Sequence, residues 1–325
     1  WSFPSPTATF VQEGQMWFNS SSSTLKGYGT AAGIPAGTWA SGGNMNTQGY
    51  QLFSFGSQTA AVRAGGFGGP PVGLQANAES YNGTSWTALS AINDARANEA
   101  GAGSGTSTAG LIYGGNTPPR TANTESWNGS SWTEVNDLNT ARNNVSGVGT
   151  STASLAFFGQ DTPSGYTGKT ESWNGSSWTE VADGNTARAG GTGMGQVYTA
   201  CLQVGGYAPT NAIVEEWNGS SWTEVGDLNS GRASAMSRSG TVTSGLVSGG
   251  NSPGTARMVN TEFYNGTSWT EIADQATAHY GSGGQGTTSS AAIDFGGNTA
   301  ASDPAGVVTT EEFTAGSAVV TVTTS

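Results

Sequence analysis

ESWNGSSWTEV, Glu125–Val135, returns unchanged at Glu171–Val181, and with small changes as EEWNGSSWTEV at Glu215–Val225, YNGTSWTAL at Tyr81–Leu89 and YNGTSWTEI at Tyr264–Ile272. Asn-Gly between two short runs of alternating large and polar residues signals a hairpin, because a type I′ turn needs positive φ at both central positions. With a two- or a four-residue loop, the period of two puts Glu125, Trp127, Trp132 and Glu134 on one face. Two aromatic rings per unit are then available to press on a neighbouring sheet. Glycan-acceptor sequons coincide with the turn at Asn82, Asn128, Asn174, Asn218 and Asn265, and the turn accounts for each without sugar.

Outward from this hairpin the chain repeats. The Trp that follows Ser or Thr recurs as Trp39, Trp86, Trp132, Trp178, Trp222 and Trp269, at spacings of 47, 46, 46, 44 and 47. Each unit continues with a polar turn, a Gly/Ser/Thr-rich run, an apolar run ending in a Gly pair, and a loop of variable length leading to the next hairpin. Four short strands per unit, separated by turn residues, predict a four-stranded blade. Runs such as AGAGSGTST (Ala100–Thr108) and GSGGQGTTS (Gly281–Ser289) nearly lack side chains, whereas Trp127 and Trp132 come two strands later. That gradient suits sheets converging on an axis, with crowding at the innermost strand. The expectation is an all-β, six-bladed propeller with antiparallel blades, residues 37–325, preceded by an extension at 1–36. The sixth unit lacks an SW hairpin, so its outer strand is expected from either GTWASGG (Gly37–Gly43) or SAVVTVTTS (Ser317–Ser325).

These residues resemble the kelch repeat, in which a Gly pair is followed by an aromatic, a Trp and then an Arg. Gly114-Gly115, Trp127, Trp132 and Arg142 fill those places, and the resemblance spans Gly37 to Ser317. Gly159-Gln160 and the GGFGG at Gly65–Gly69 depart from it. The resemblance implies a fold and leaves function open. From the shared face of the hairpin, Trp39, Trp86, Trp127, Trp132, Trp173, Trp178, Trp217, Trp222 and Trp269 are expected to be blade-interface residues.

Composition bounds the function. The chain has 325 residues with 52 Gly, 11 Trp and only 10% charged residues, a mixture that disfavours both long helices and disorder. A net charge of −12 repels phosphate backbones and anionic lipid, which argues against nucleic acid and membrane insertion. Cys201 is alone, which excludes an intrachain disulfide and Cys-based zinc sites. The chain opens on Trp1, which leaves open whether it is a fragment or a processed product, so missing targeting signals carry no weight.

Ten residues past each anchor Trp stand Gly49, Arg96, Arg142, Arg188, Arg232 and His279. One reading makes the cations a rim that binds an anionic glycan or carboxylate; the other pairs each Arg with a Glu such as Glu134. Asp137, Asp183, Asp227 and Asp274 read as turn caps and not as metal ligands, since one Asp per unit spreads oxygens around a ring. No metal or cofactor is expected. Kelch-type copper oxidases need two His ligands, and this chain has one His; GSSW (Gly129–Trp132) lacks the Asp of the sialidase box. The loops after the Gly pairs differ in length, and loops on a rigid scaffold carry recognition. Tyr166 and Tyr207 are candidates for stacking on sugar.

EGQMWFNSSSSTLKGYG, within Phe3–Gly29, is similar to a short hairpin of tailed-phage virion and fibre proteins, and implies docking to other virion proteins. The expectation is a non-catalytic virion or extracellular component, a fibre, tail or head appendage that contacts a host-surface glycan or protein, with self-association left open. The alternatives are a secreted glycan-binding propeller and, behind it, a glycan-cleaving enzyme.

Overall fold

Aromatic rings from one sheet reach over the inner strand of the next, and that contact explains the glycine near the axis. A Cβ at Gly101 would overlap the Phe53 ring and one at Gly147 the Tyr113 hydroxyl, while one at Gly193 would stand 2.8 Å from Phe157. Only a residue without a side chain lets the sheets approach this closely.

The structure is a computed structural model describing residues 16–19, 24–29, 37–98, 100–102, 104–162, 165–207, 211–234, 237–252, 256–299, 306–316 and 318–322, with backbone alone at 16–19, 24–29, 237 and 318–322. It is a six-bladed β-propeller of four-stranded antiparallel blades. From inner to outer strand, blade 1 is Phe53–Ser57, Ala60–Ala64, Ala78–Tyr81 and Trp86–Leu89; blade 2 is Ala100–Ala102, Gly110–Tyr113, Thr124–Trp127 and Trp132–Val135. Blade 3 is Ser146–Thr150, Ala153–Phe157, Thr170–Trp173 and Trp178–Val181; blade 4 is Thr192–Val197, Ala200–Val204, Val214–Trp217 and Trp222–Glu224. Blade 5 is Ser237–Thr241, Ser244–Ser248, Thr261–Tyr264 and Trp269–Glu271. Blade 6 takes Gly283–Thr288, Ala291–Phe295 and Thr310–Ala315 from the end of the chain and its outer strand, Gly37–Ser41, from the beginning. The inner strands neighbour one another in a closed cycle. Of the two candidates for the last strand, Gly37–Ser41 fills the place, whereas Ala318–Val322 pairs with Thr24–Gly29 in a separate three-stranded sheet with Met16–Asn19. Pairing the two chain regions in blade 6 covers the edge of Thr310–Ala315, which would otherwise lie open.

The repeated hairpin has a four-residue loop and not a two-residue type I′ turn. Trp127 pairs with Trp132 across it, and of its loop residues only Gly129 has positive φ, +94°. A backbone bond from Asn128 N to Ser131 O spans the loop at 3.3 Å, and the Asn128 side chain adds to it, its Oδ1 accepting from the backbone N of Ser130 and Ser131 at 2.9 Å each.

The outer-strand indoles bind the preceding blade. Trp86, Trp178, Trp222 and Trp39 donate from Nε1 to the hydroxyls of Thr310, Thr124, Thr170 and Thr261, each the first residue of a third strand, at 3.0–3.2 Å. Where that residue is Ala78 or Val214, Trp132 and Trp269 donate to the carbonyls of Ser90 and Gly226. Ring contacts add to these bonds: Tyr113–Trp178 at 4.8 Å, Phe157–Trp222 at 5.0 Å and Phe295–Trp86 at 4.7 Å. Trp127, Trp173 and Trp217 lie beside the outer-strand indole of their own blade, with ring centroids 5.1–5.5 Å apart. A buried indole must find a hydrogen-bond partner, and two different acceptors serve one position.

Candidate functional site

Arg96 donates from Nη2 to Oε1 of Glu125 at 2.6 Å inside blade 2, and Arg142–Glu171 (2.8 Å), Arg188–Glu215 and Arg232–Glu262 (2.7 Å) repeat the pair in blades 3, 4 and 5. The second carboxylate oxygen accepts from the backbone N and Nδ2 of Asn93, Asn139, Asn185 and Asn229 in turn, at 2.7–3.0 Å. All four arginines are 0% exposed. A solvent-facing rim of cations at Arg96, Arg142, Arg188, Arg232 and His279 is therefore not formed, because each charge is matched within its blade by an acidic residue. The partner lies on the third strand; Glu134, on the outer strand, is exposed.

The two blades without this Arg place another basic side chain against an acidic one. In blade 1, where Gly49 stands, Arg63 reaches Glu79 from the second strand and is itself 0% exposed. In blade 6, His279 Nε2 meets Asp294 Oδ1 at 3.0 Å, and Asp294 occupies the second-strand register position that Arg63 holds in blade 1. Burial opposes the charged imidazole, but Asp294, with Glu311 nearby, outweighs it and holds the His279 pKa above its usual value. Glu79 is also desolvated, yet Arg63 and Asn46 keep its pKa below the usual carboxylate value.

Two residues past each of these positions the backbone turns left-handed. Gln51, Asn98, Asn144, Gly190, Ser234 and Gly281 have φ of +55°, +59°, +50°, +67°, +47° and +69°. Each donates its N–H to the carbonyl of the equivalent residue in the preceding blade: Asn98 to Gln51 (3.3 Å), Asn144 to Asn98 (2.7 Å), Gly190 to Asn144 (3.1 Å), Ser234 to Gly190 (2.5 Å), Gly281 to Ser234 (3.3 Å) and Gln51 to Gly281. The result is a closed collar of six backbone hydrogen bonds around one mouth of the central channel. The sequence carried a signal for it, since four of the six are Asn or Gly, the residues that most readily adopt this conformation.

Within the collar a cavity of about 80 Å³ is lined by collar residues, by Ser282, and by inner-strand residues including Arg238. Arg238 stands in register with Ser54, Gly101, Gly147, Gly193 and Gly284 of the other blades. It is the large side chain in a layer of glycines and a serine. From blade 5 it spans the channel, Nη1 donating to Gly147 O of blade 3 at 2.9 Å and Nη2 to Gly101 O of blade 2 at 3.3 Å. It makes no ion pair among the described residues. Burial lowers its pKa to about 10, which leaves it charged at neutral pH. The same burial pushes the Tyr113 hydroxyl up, so Tyr113 stays neutral and supplies no compensating charge. Arg238 escaped sequence reasoning because blade 5 carries one extra residue between Arg232 and its inner strand, which hides it from a fixed offset.

Antiparallel strand order brings the variable loops to this same end, and each loop begins with a bridge onto the residue before the collar: Phe67 to Tyr50, Asn116 to Ala97, Gln160 to Asn143, Tyr207 to Ala189, Asn251 to Ala233 and Asn298 to Tyr280. Parts of the last four loops lie outside the described residues. Tyr166 is 45% exposed on its loop. Tyr207 is half-buried, its hydroxyl 3.2 Å from Ser234 Oγ and its ring over Gly190 at the collar. Asp137 and Asp183 accept the backbone N of Thr124 and Thr170 at 3.1 and 3.2 Å, capping third strands. Among the described residues no group of three or more His, Cys, Asp or Glu could hold a metal ion. Compared with protein-family models and with curated proteins, the chain matches none.

Proposed function

We propose that this chain is a non-catalytic attachment module, a kelch-like propeller carried on a virion as a fibre, tail or head appendage, which contacts the host surface through its collar end. One observation carries the reading. Of the ten basic residues, five are buried against third-strand Glu, while Arg120, Lys169, Arg238 and Arg257 all belong to the collar end. Tyr50, Phe67, Tyr166, Tyr207 and Tyr280 stand there too, on or beside the loops that differ between blades. Cations, aromatic faces and unequal loops on one end of a rigid scaffold suit recognition of a surface glycan. The virion part of the reading draws on EGQMWFNSSSSTLKGYG, whose strands Met16–Asn19 and Thr24–Gly29 form a hairpin outside the blades.

Labelled protein applied to a glycan array and to host cells is expected to bind, to release no product from the bound glycans, and to sediment with virus particles. Glycan binding by a free monomer found only in culture supernatant makes the chain a secreted glycan-binding propeller instead. Product release makes it an enzyme, and silence on both array and cells overturns attachment.

A further inference from the structure

We propose that the collar cavity binds the carboxylate of an acidic sugar, with the Arg238 guanidinium as its counter-charge. The inference deepens the attachment reading by naming a ligand class. Arg238 has five N–H groups, and two of its donations go to Gly147 O and Gly101 O. The other three remain in the guanidinium plane, and a guanidinium is the side chain best suited to pair with a carboxylate.

A second polar group meets the same space. Ser282 lines the cavity, is 1% exposed, and its Oγ has no hydrogen-bond partner among the described residues. A buried hydroxyl without a partner is costly unless something fills the role. Arg238 from blade 5 and Ser282 at the entrance to blade 6 therefore offer a charge and a hydroxyl to one ligand.

Size and charge select the class. About 80 Å³ holds several waters, and so a carboxylate with the carbons that bear it; the remainder of a sugar would rest on the collar at Asn98, Asn144 and Tyr207. One uncompensated cation in a chain of net charge −12 neutralises a monoanion, whereas a phosphate dianion would leave an excess charge in a confined, already negative molecule. The collar consumes its own backbone N–H groups, which leaves Arg238, Ser282 and the collar side chains to do the reading.

The test is an NMR titration of the full chain with sodium glucuronate at constant ionic strength, following the amides of Gln51, Asn98, Asn144 and Gly281, beside glucose, acetate and inorganic phosphate. Saturable shifts are expected with glucuronate, weaker binding with acetate and none with glucose. Arg238→Gln should raise Kd at least tenfold. Asn144→Asp sets a carboxylate at the mouth without changing side-chain shape or leaving an αL-tolerant residue type, and should also raise Kd while the melting temperature holds. An Arg238→Gln that unfolds leaves Asn144→Asp to decide. Glucuronate binding unchanged in Asn144→Asp or in a folded Arg238→Gln, acetate as tight as glucuronate, or phosphate tighter than either overturns the proposal. A silent glycan array beside an Arg238-dependent glucuronate site sinks attachment and spares the site; array binding unaltered in both variants does the reverse.

Discussion

At the residue scale, the ionic groups inside the blades act as ties whose partners are interdependent. Glu171 accepts from Arg142 and from Asn139 through both oxygens, so Glu171→Ala strands a buried cation and two donors. Denaturant unfolding of Glu171→Ala is expected to show a loss of about 3–5 kcal/mol, and the double variant Arg142→Met/Glu171→Leu a smaller one, because removing both charges also removes their desolvation cost. The His279–Asp294 pair adds a pH term. Its folded pKa lies above the unfolded value of about 6.5, so its contribution is full below that pH and is lost as pH rises through the folded pKa. Melting temperatures at a series of pH values from 6 upward should therefore fall more steeply for the native chain than for His279→Gln. The periodic Arg was legible in the sequence because it repeats at a fixed offset from Trp; its partner was not, since Glu125 and Glu134 share a face and only burial separates them. Arg63 and Asp294 each occur once, and no repeat could announce them.

Individual strands show how one position can be filled in more than one way. Thr170 at the head of a third strand accepts the Trp222 indole N–H, while Val214 in the same place leaves Trp269 to use Gly226 O. Thr170→Val should accordingly cost only about 0.5–1.5 kcal/mol, against about 3–5 kcal/mol for Trp222→Ala, whose ring packs on Phe157 and Phe158. Chemical denaturation of both variants checks the ratio, and equal losses would mean that the hydrogen bond, not the packing, holds the seam. Strand number, hairpin and inner glycine were all visible as pattern, because each answers to local chemistry that recurs with the repeat. Asn-Gly left the loop open between two and four residues; Asn128 decides it through its side-chain oxygen, which lets Ser130 and Ser131 complete the longer turn.

For the whole molecule, closure depends on a strand from the far end of the chain. Gly37–Ser41 completes blade 6, and Trp39 carries the seam to Thr261 of blade 5. A chain beginning at residue 42 should lose its single cooperative melting transition and associate through the bared edge of Thr310–Ala315, whereas one beginning at residue 36 should keep the transition; calorimetry with size-exclusion chromatography distinguishes them. Blade number could be counted from the repeat, but which terminus closes the ring could not, since both candidate strands read equally well as β. The collar lay deeper still, because it exists only once six separate turns are brought around an axis.

That hoop has no first or last bond. Every donor is also an acceptor's neighbour on the same circumference, so widening the aperture at one blade means stretching the links at all the others. The opening therefore behaves as a gauge of fixed bore: what enters the funnel must fit as the propeller stands. The six amides of Gln51, Asn98, Asn144, Gly190, Ser234 and Gly281, although they encircle an opening to water, should exchange with deuterium together and only at the rate of global unfolding. A scatter of fast and slow exchange among them would show that the hoop opens in pieces.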